Sequence, residues 1–313
     1  MQAVEVLKMD RRRFIRDVLL YSAGVTLSAP RFSIPEVQAS SAQAADIAIV
    51  TGQDYAAIVK EALQLLGGME QFVRPGNTVV VKPNIGWDRS PEQGANTHPE
   101  VVKTLVELAL EAGASKVRIF DHTCNEKRRC YNHSGIADAI SKLKDKKVRL
   151  EHIDKRKFVP IEITKGRSLT KWDIYKDALN ADCYINVPVA KHHGLSRLSL
   201  GLKNSMGVIG GNRGRLHHNL GQKLADLATV IRPHLTLIDA TRMLIKNGPQ
   251  GGRLEDVRQM DKVIASKDPV AADAYATTLF GLNPEELAST VEAHRLGLGQ
   301  IDLSKIRHLE LIL

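Results

Sequence analysis

The chain has 313 residues, 43% hydrophobic and 25% charged, so it can bury a sizeable core without disulfide staples. It carries a formal net charge of +9 but only 4% aromatic residues. No basic run is interleaved with aromatics, which argues against a nucleic-acid stacking platform and leaves an anionic small molecule as the partner that suits the charge.

Residues 10–16 read D-R-R-R-F-I-R. Arg11 and Arg12, followed by Phe14 and Arg16, fit the twin-arginine pattern R-R-x-F-x-K with arginine in the last place. The apolar stretch behind them, Val18 to Pro30, falls short of the roughly 20 residues that a spanning helix needs. Ala42-Gln43-Ala44 is a small-x-small cleavage site, with Ala39 a second option. The expectation is therefore a twin-arginine signal peptide over 1–44, read by the twin-arginine export machinery, and a single α/β domain over 45–313. The mature protein would be periplasmic or otherwise exported, with no stable transmembrane segment after cleavage. The alternative is an amphipathic N-terminal helix that stays attached.

Downstream, Asp46–Thr51 is a short apolar run and Asp54–Leu66 is amphipathic. Asn77–Lys82 is a β-branched run that stops at Pro83. The spacing of Val101, Val102, Leu105 and Leu108 predicts a helix over His98–Ala112, with Thr97 as N-cap, Pro99 in the first turn and Gly113 as the stop. Lys116–Asp121 is the next strand, Ser134–Leu143 is helical and Lys147–His152 is strand-like. A strong strand pattern covers Ala181–Val189. Helix Leu216–Val230, strand Leu235–Asp239, strand Lys262–Ala265 and helix Pro269–Phe280, capped by Asp268, complete the series.

Strands alternate with helices, which predicts an α/β fold: a mostly parallel open sheet with helices on both faces. Ligands of such sheets bind beyond the carboxyl ends of the strands. Five predicted strand ends carry polar groups: Lys82 and Asn84; Asp121 and His122; Lys191, His192 and His193; Asp239, Thr241 and Arg242; Lys267 and Asp268. Parallel strands would bring them together. Asp273 stands inside an apolar helix, where an aspartate needs a partner or solvent. Lys203-Asn204 sits in a glycine-rich cationic segment whose exposed amides suit an anion. That segment matches neither the P-loop nor the dinucleotide fingerprint.

Cys124, Cys130 and Cys183 are the three cysteines and no C-x-x-C occurs, so no cysteine-ligated iron–sulfur cluster is expected. Export would permit one disulfide, Cys124–Cys130; free thiols are the alternative.

The segments V-V-V-K-P-N (79–84), T-H-P-E-V-V-K (97–103), I-N-V-P-V-A-K-H-H-G (185–194), G-L-K-N-S-M-G (201–207) and A-S-K-D-P-V-A-A-D-A (265–274) together resemble the family called domain of unknown function 362. The resemblance covers nearly the whole mature chain and carries the family motifs onto Lys82, Asn84, Thr97, His98, Lys191, His193, Lys203, Asn204, Asp268 and Asp273. His193 is favoured over His192, where the family pattern often has threonine. Some members carry a ferredoxin-like module, which this chain lacks.

One functional expectation is a cofactor- or metal-dependent enzyme acting on an anionic small molecule. Lys82, Lys191, His98 and His193 would be catalytic, and Asn84, Thr97, Lys203, Asn204, Asp268 and Asp273 would bind the ligand. A divalent metal would draw on His98, His193 and Asp121. The other is a non-catalytic periplasmic ligand-binding or redox-complex assembly protein.

Overall fold

Alternate residues of strand β1 (Ile47–Thr51) enter different cores: Ala48 and Val50 pack into one, Ile47 and Ile49 into another. A strand with apolar side chains on both sides belongs to a sheet covered on both faces. The computed structural model describes residues 44–313, and that sheet organises all of them. The expected leader, with its Arg11-Arg12 pair, lies outside the described residues apart from Ala44.

The chain continues through α1 (Tyr55–Leu65), β2 (Thr78–Pro83), α2 (Pro99–Glu111), β3 (Lys116–Ile119), α3 (Lys127–His133), α4 (Ile136–Ser141) and β4 (Val148–Leu150). A separate hairpin, β5 (Phe158–Glu162) and β6 (Lys171–Tyr175), precedes the one-turn α5 (Lys176–Leu179). Then come β7 (Cys183–Val187), β8 (Val189–His193), β9 (Arg197–Ser199), α6 (Gly201–Asn204), α7 (Leu220–Ala228), β10 (Leu235–Leu244) and β11 (Val257–Ser266). Helices α8 (Pro269–Thr278) and α9 (Ala288–Arg295) and strand β12 (His308–Ile312) close the described chain. No described helix is long and apolar enough to cross a membrane.

The sheet runs β12-β1-β11-β10-β7-β2-β3-β4 and is mostly parallel. Helices α1, α2 and α4 cover one face. The β5–β6 hairpin and α7, α8 and α9 cover the other.

Three departures from the sequence pattern bear on function. Pro188 has no N–H to donate, so the predicted Ala181–Val189 strand breaks there into β7 and β8. Both pieces still lie parallel to β10. Strand β11 runs antiparallel to both β1 and β10, so its carboxyl end, with Lys267 and Asp268, lies at the opposite edge from the ends of β2, β7 and β10. Only four of the five polar strand ends therefore share one edge. Finally, the predicted helix Ser134–Leu143 is present in shortened form as α4, and an unpredicted helix, α3, precedes it, the two parted at Gly135 with φ +74°.

Candidate functional site

Beyond the ends of β2, β3, β7 and β8 lies a cleft of about 390 Å³. Lys82, Asn84, Asp121, Lys191, His193, Lys203 and Asn204 line it, with Trp87, Leu195, Met206 and Pro249 supplying apolar wall.

Lys82 forms its floor. Its side chain is fully buried, and Nζ has three acceptors: Asp121 Oδ1 at 2.8 Å, and the carbonyl and Oδ1 of Asn204 at 2.7 Å each. Burial pulls the lysine down while the Asp121 carboxylate opposes it. Both oxygens of Asp121 are engaged, because they also accept from the backbone N–H groups of Ile85 at 2.7 Å and His122 at 2.9 Å. Asn204 donates Nδ2 to Asn186 Oδ1 at 2.9 Å, tying the lysine to the end of β7.

Asn204 is in place because α6 is. That single turn begins at Gly201, whose N–H donates to Asp273 Oδ1 at 2.6 Å, while Leu202 N–H donates to Asp273 Oδ2 at 3.0 Å. Asp273 is buried in α8, and desolvation pushes its carboxyl up to about 7. It is a positioning residue that does not line the cleft. A β-carbon on Gly201 would lie 2.8 Å from Asp273 Oδ1, so this position requires glycine.

Lys191 and His193 leave β8 two residues apart and so point to the same side, into the cleft. His192 between them points away, its Nδ1 accepting from Gly248 N–H at 3.2 Å. Lys191 Nζ donates to the carbonyl of Ala95 and to Asn84 Oδ1, the latter at 3.2 Å. Burial, followed by the Lys203 and Lys82 charges, pulls it down to about 7. His193 Nδ1 accepts from the backbone N–H groups of Leu195 at 3.1 Å and Ser196 at 3.3 Å, which leaves the ring proton on Nε2. Burial and the charges of Lys203 and Lys191 push its pKa down to about 3. His193 is thus a neutral N–H donor near neutral pH. Its ring stacks on His217 at 6.2 Å.

Lys203 projects from α6 into the same space. Its Nζ has one hydrogen-bond partner, Met206 Sδ at 3.0 Å. Burial, followed by Arg213 and Lys82, pulls it down to about 8. Arg213 is occupied by the carbonyls of His122 at 2.8 Å and Thr123 at 2.9 Å. Among the described residues, no carboxylate pairs with Lys191 or Lys203.

Other predicted residues lie elsewhere. Thr97 is not the N-cap of α2; His98 is, with Nδ1 accepting from Glu100 N–H at 3.3 Å. Thr97 instead ties two strand ends together: Oγ1 accepts from Asn84 N–H at 2.8 Å and donates to the Val187 carbonyl at 2.7 Å. His98 packs edge-on against Tyr55 and donates its backbone N–H to Asp239 Oδ2 at 2.7 Å, outside the cleft lining. Asp268 caps α8 at the far edge of the sheet, accepting from Val270, Ala271 and Gln300. Among the described residues no three His, Cys, Asp or Glu side chains gather to hold a metal ion, and His98, His193 and Asp121 stay apart. All three cysteines are free thiols; Cys124 is exposed on the cleft rim and Cys130 is buried.

Residues missed by sequence reading include Asn186, Met206, Arg213, His217 and the Ala95 carbonyl. Asn186 left one signal, an amide inside the apolar run C-Y-I-N-V.

A family model described as domain of unknown function (DUF362) matches residues 79–278. The thylakoid-associated protein sll1697 of Synechocystis sp. is 29% identical over 257 residues, covering 77% of this chain and 75% of that protein. Among solved structures, a Thermotoga maritima protein from a structural genomics consortium is similar with a TM-score of 0.42 and 12% identity, over 72% of this chain and 59% of the other. The lactate racemase apoprotein from Thermoanaerobacterium thermosaccharolyticum follows with a TM-score of 0.38 and 15% identity, over 63% of this chain and 50% of the other. The chain spans less than two thirds of the length of either solved protein.

Proposed function

The chain belongs to the DUF362 family, and we propose that it is an enzyme acting on an anionic small molecule held in the lysine cleft. The observation that carries this reading is Lys203: a largely buried ammonium, facing the cleft, whose hydrogen-bond partner is a thioether. A buried charge without a counter-ion is costly, and an anionic ligand supplies one. Lys203 and the neighbouring Lys191 would hold the anion, and His193 Nε2–H would donate a hydrogen bond to it. Of the four expected catalytic residues, Lys191 faces the cleft without a carboxylate partner and is drawn down to about 7, as suits an acid–base group. Lys82 is held by Asp121, His193 stays neutral, and His98 lies outside the cleft lining. The reading needs no metal.

Calorimetric titration with sulfate and with succinate tests it. Binding by the wild type, weakened at least about tenfold (~1.4 kcal/mol) in Lys203→Ala, is expected. Absence of binding at low salt, or equal binding by the variant, overturns it. Turnover of a carboxylate or phosphate library by the wild type, lost in Lys191→Gln even at saturating ligand, separates enzyme from carrier. We also propose that the protein works outside the cytoplasm, on the strength of the leader pattern. Cell fractionation of wild type against an Arg11→Lys/Arg12→Lys double variant tests this, and unchanged distribution would sink it.

A further inference from the structure

Two buried lysines, Lys82 and Lys191, line the cleft, and their hydrogen-bond partners differ in number. An ammonium has three N–H bonds to place, whereas a neutral amine has two and one lone pair. Lys82 Nζ has three acceptors, one of them a carboxylate, and so is built as an ammonium. Lys191 Nζ has two, the Ala95 carbonyl and Asn84 Oδ1, neither of them charged.

The orientation of Asn84 is fixed by its neighbours. Asn204 Oδ1 accepts from Lys82 Nζ and also from Asn84 Nδ2 at 3.2 Å. The Asn84 amide therefore turns its oxygen to Lys191. With both N–H bonds spent on these acceptors, the fourth position on Nζ is the lone pair, on the side of the cleft that Lys191 lines. Lys203, the unpaired cation, lines the same cavity.

We propose that Lys191 is a nucleophile that condenses with the carbonyl of an oxo-carboxylate to form an imine, while Lys203 holds the carboxylate of that substrate. This rests on the anion-binding role given to the cleft above. The amine lone pair forms the C–N bond and the carbonyl π pair moves to oxygen. The oxygen then leaves as water with the two former amine protons, giving C=N. Neither partner changes oxidation state, so no redox co-reactant is required. An amine drawn down to about 7 by burial is neutral in a large fraction of molecules at neutral pH, which is what nucleophilic attack needs. A lysine desolvated beside other cations is a known means of obtaining it.

Reductive trapping tests the assignment. The full protein is treated with glyoxylate and cyanoborohydride at pH 7.5, and modified peptides are mapped by mass spectrometry. Formaldehyde serves as an uncharged control. Lys191 is expected to be labelled by glyoxylate at least tenfold faster than the exposed Lys60 and Lys116. Lys203→Ala should slow glyoxylate labelling of Lys191 at least tenfold and formaldehyde labelling less than twofold. Labelling of Lys191 by glyoxylate at only the surface rate overturns the proposal, and mapping the wild type suffices to show it even if a variant misfolds. Labelling by formaldehyde but not by glyoxylate also overturns it, because the substrate class falls. If sulfate and succinate still bind in that case, the imine fails and the anion-binding reading stands; if neither binds, both fail.

Discussion

Gly207 packs so closely on Lys82 that a β-carbon at this position would overlap the lysine ammonium and the Asp121 carboxylate together. The glycine carbonyl also accepts from His122 N–H at 3.0 Å, which holds the loop against the ion pair. Gly207→Ala must push this loop away or open the pair. Overpacking a core costs about 1–3 kcal/mol and breaking a buried pair about 3–5 kcal/mol. Urea unfolding of the variant is expected to show a loss of about 3 kcal/mol or more, by the larger of those effects. A loss under about 1 kcal/mol would mean that the close packing is not maintained in solution.

The pairing of Lys82 with Asp121 predicts strong non-additivity. Lys82→Met leaves a buried carboxylate with only the Ile85 and His122 N–H groups, and Asp121→Leu leaves a buried ammonium. Each single change should cost about 3–5 kcal/mol, since the remaining charge is uncompensated. The double variant should cost less than the two summed, by about 1–3 kcal/mol of coupling energy. A double-variant cycle by chemical denaturation measures the difference, and simple additivity would mean that the two groups do not interact.

Asp273 predicts a particular pH dependence. Its carboxyl sits near 7 in the folded chain, above the ordinary 3.8, because burial disfavours the anion more than the Gly201 and Leu202 N–H groups favour it. The folded state then holds more protons than the unfolded chain between about pH 4 and 7, so this group makes stability fall as pH rises through that window. The loss is complete above about pH 7. Asp273→Asn removes the titration. Its stability relative to wild type should therefore be poorer at pH 5 than at pH 8, measured by urea midpoints at both. An offset independent of pH would contradict the raised carboxyl.

Much of this arrangement was legible in the sequence because strand ends announce themselves. The β-branched run ending at Lys82-Pro83-Asn84 and the apolar strand leading to Lys191 placed two cleft lysines through the rule that parallel strands deliver their ends to one edge. Direction was not legible: β11 alternates like any other strand, and nothing local says that it runs antiparallel, so Asp268 was grouped with an edge it does not reach. A shift of one residue at the α2 cap moved Thr97 and His98 to roles other than those expected, because His98 Nδ1 competes as an N-cap acceptor. Contacts through the main chain, such as Lys191 to the Ala95 carbonyl, leave no trace in residue identity. The partner of Asp273 lies 72 positions away, beyond any local pattern.

Anion affinity should fall as pH rises. Lys191 and Lys203 titrate near 7 and 8, and only their protonated forms attract an anion. Bound anion favours the ammonium forms, so binding takes up protons wherever the free groups are partly neutral. For sulfate, whose charge is fixed across this range, affinity should be highest near pH 6 and decline through pH 7–9. His193 adds nothing to that decline because it is already neutral there. In Lys203→Ala the limb near pH 8 should disappear while the one near pH 7 remains. Calorimetry in two buffers of different ionisation enthalpy reports the protons taken up. Zero uptake at pH 7.5 would show that neither lysine changes its protonation when the anion arrives, and would remove these two residues from the binding site.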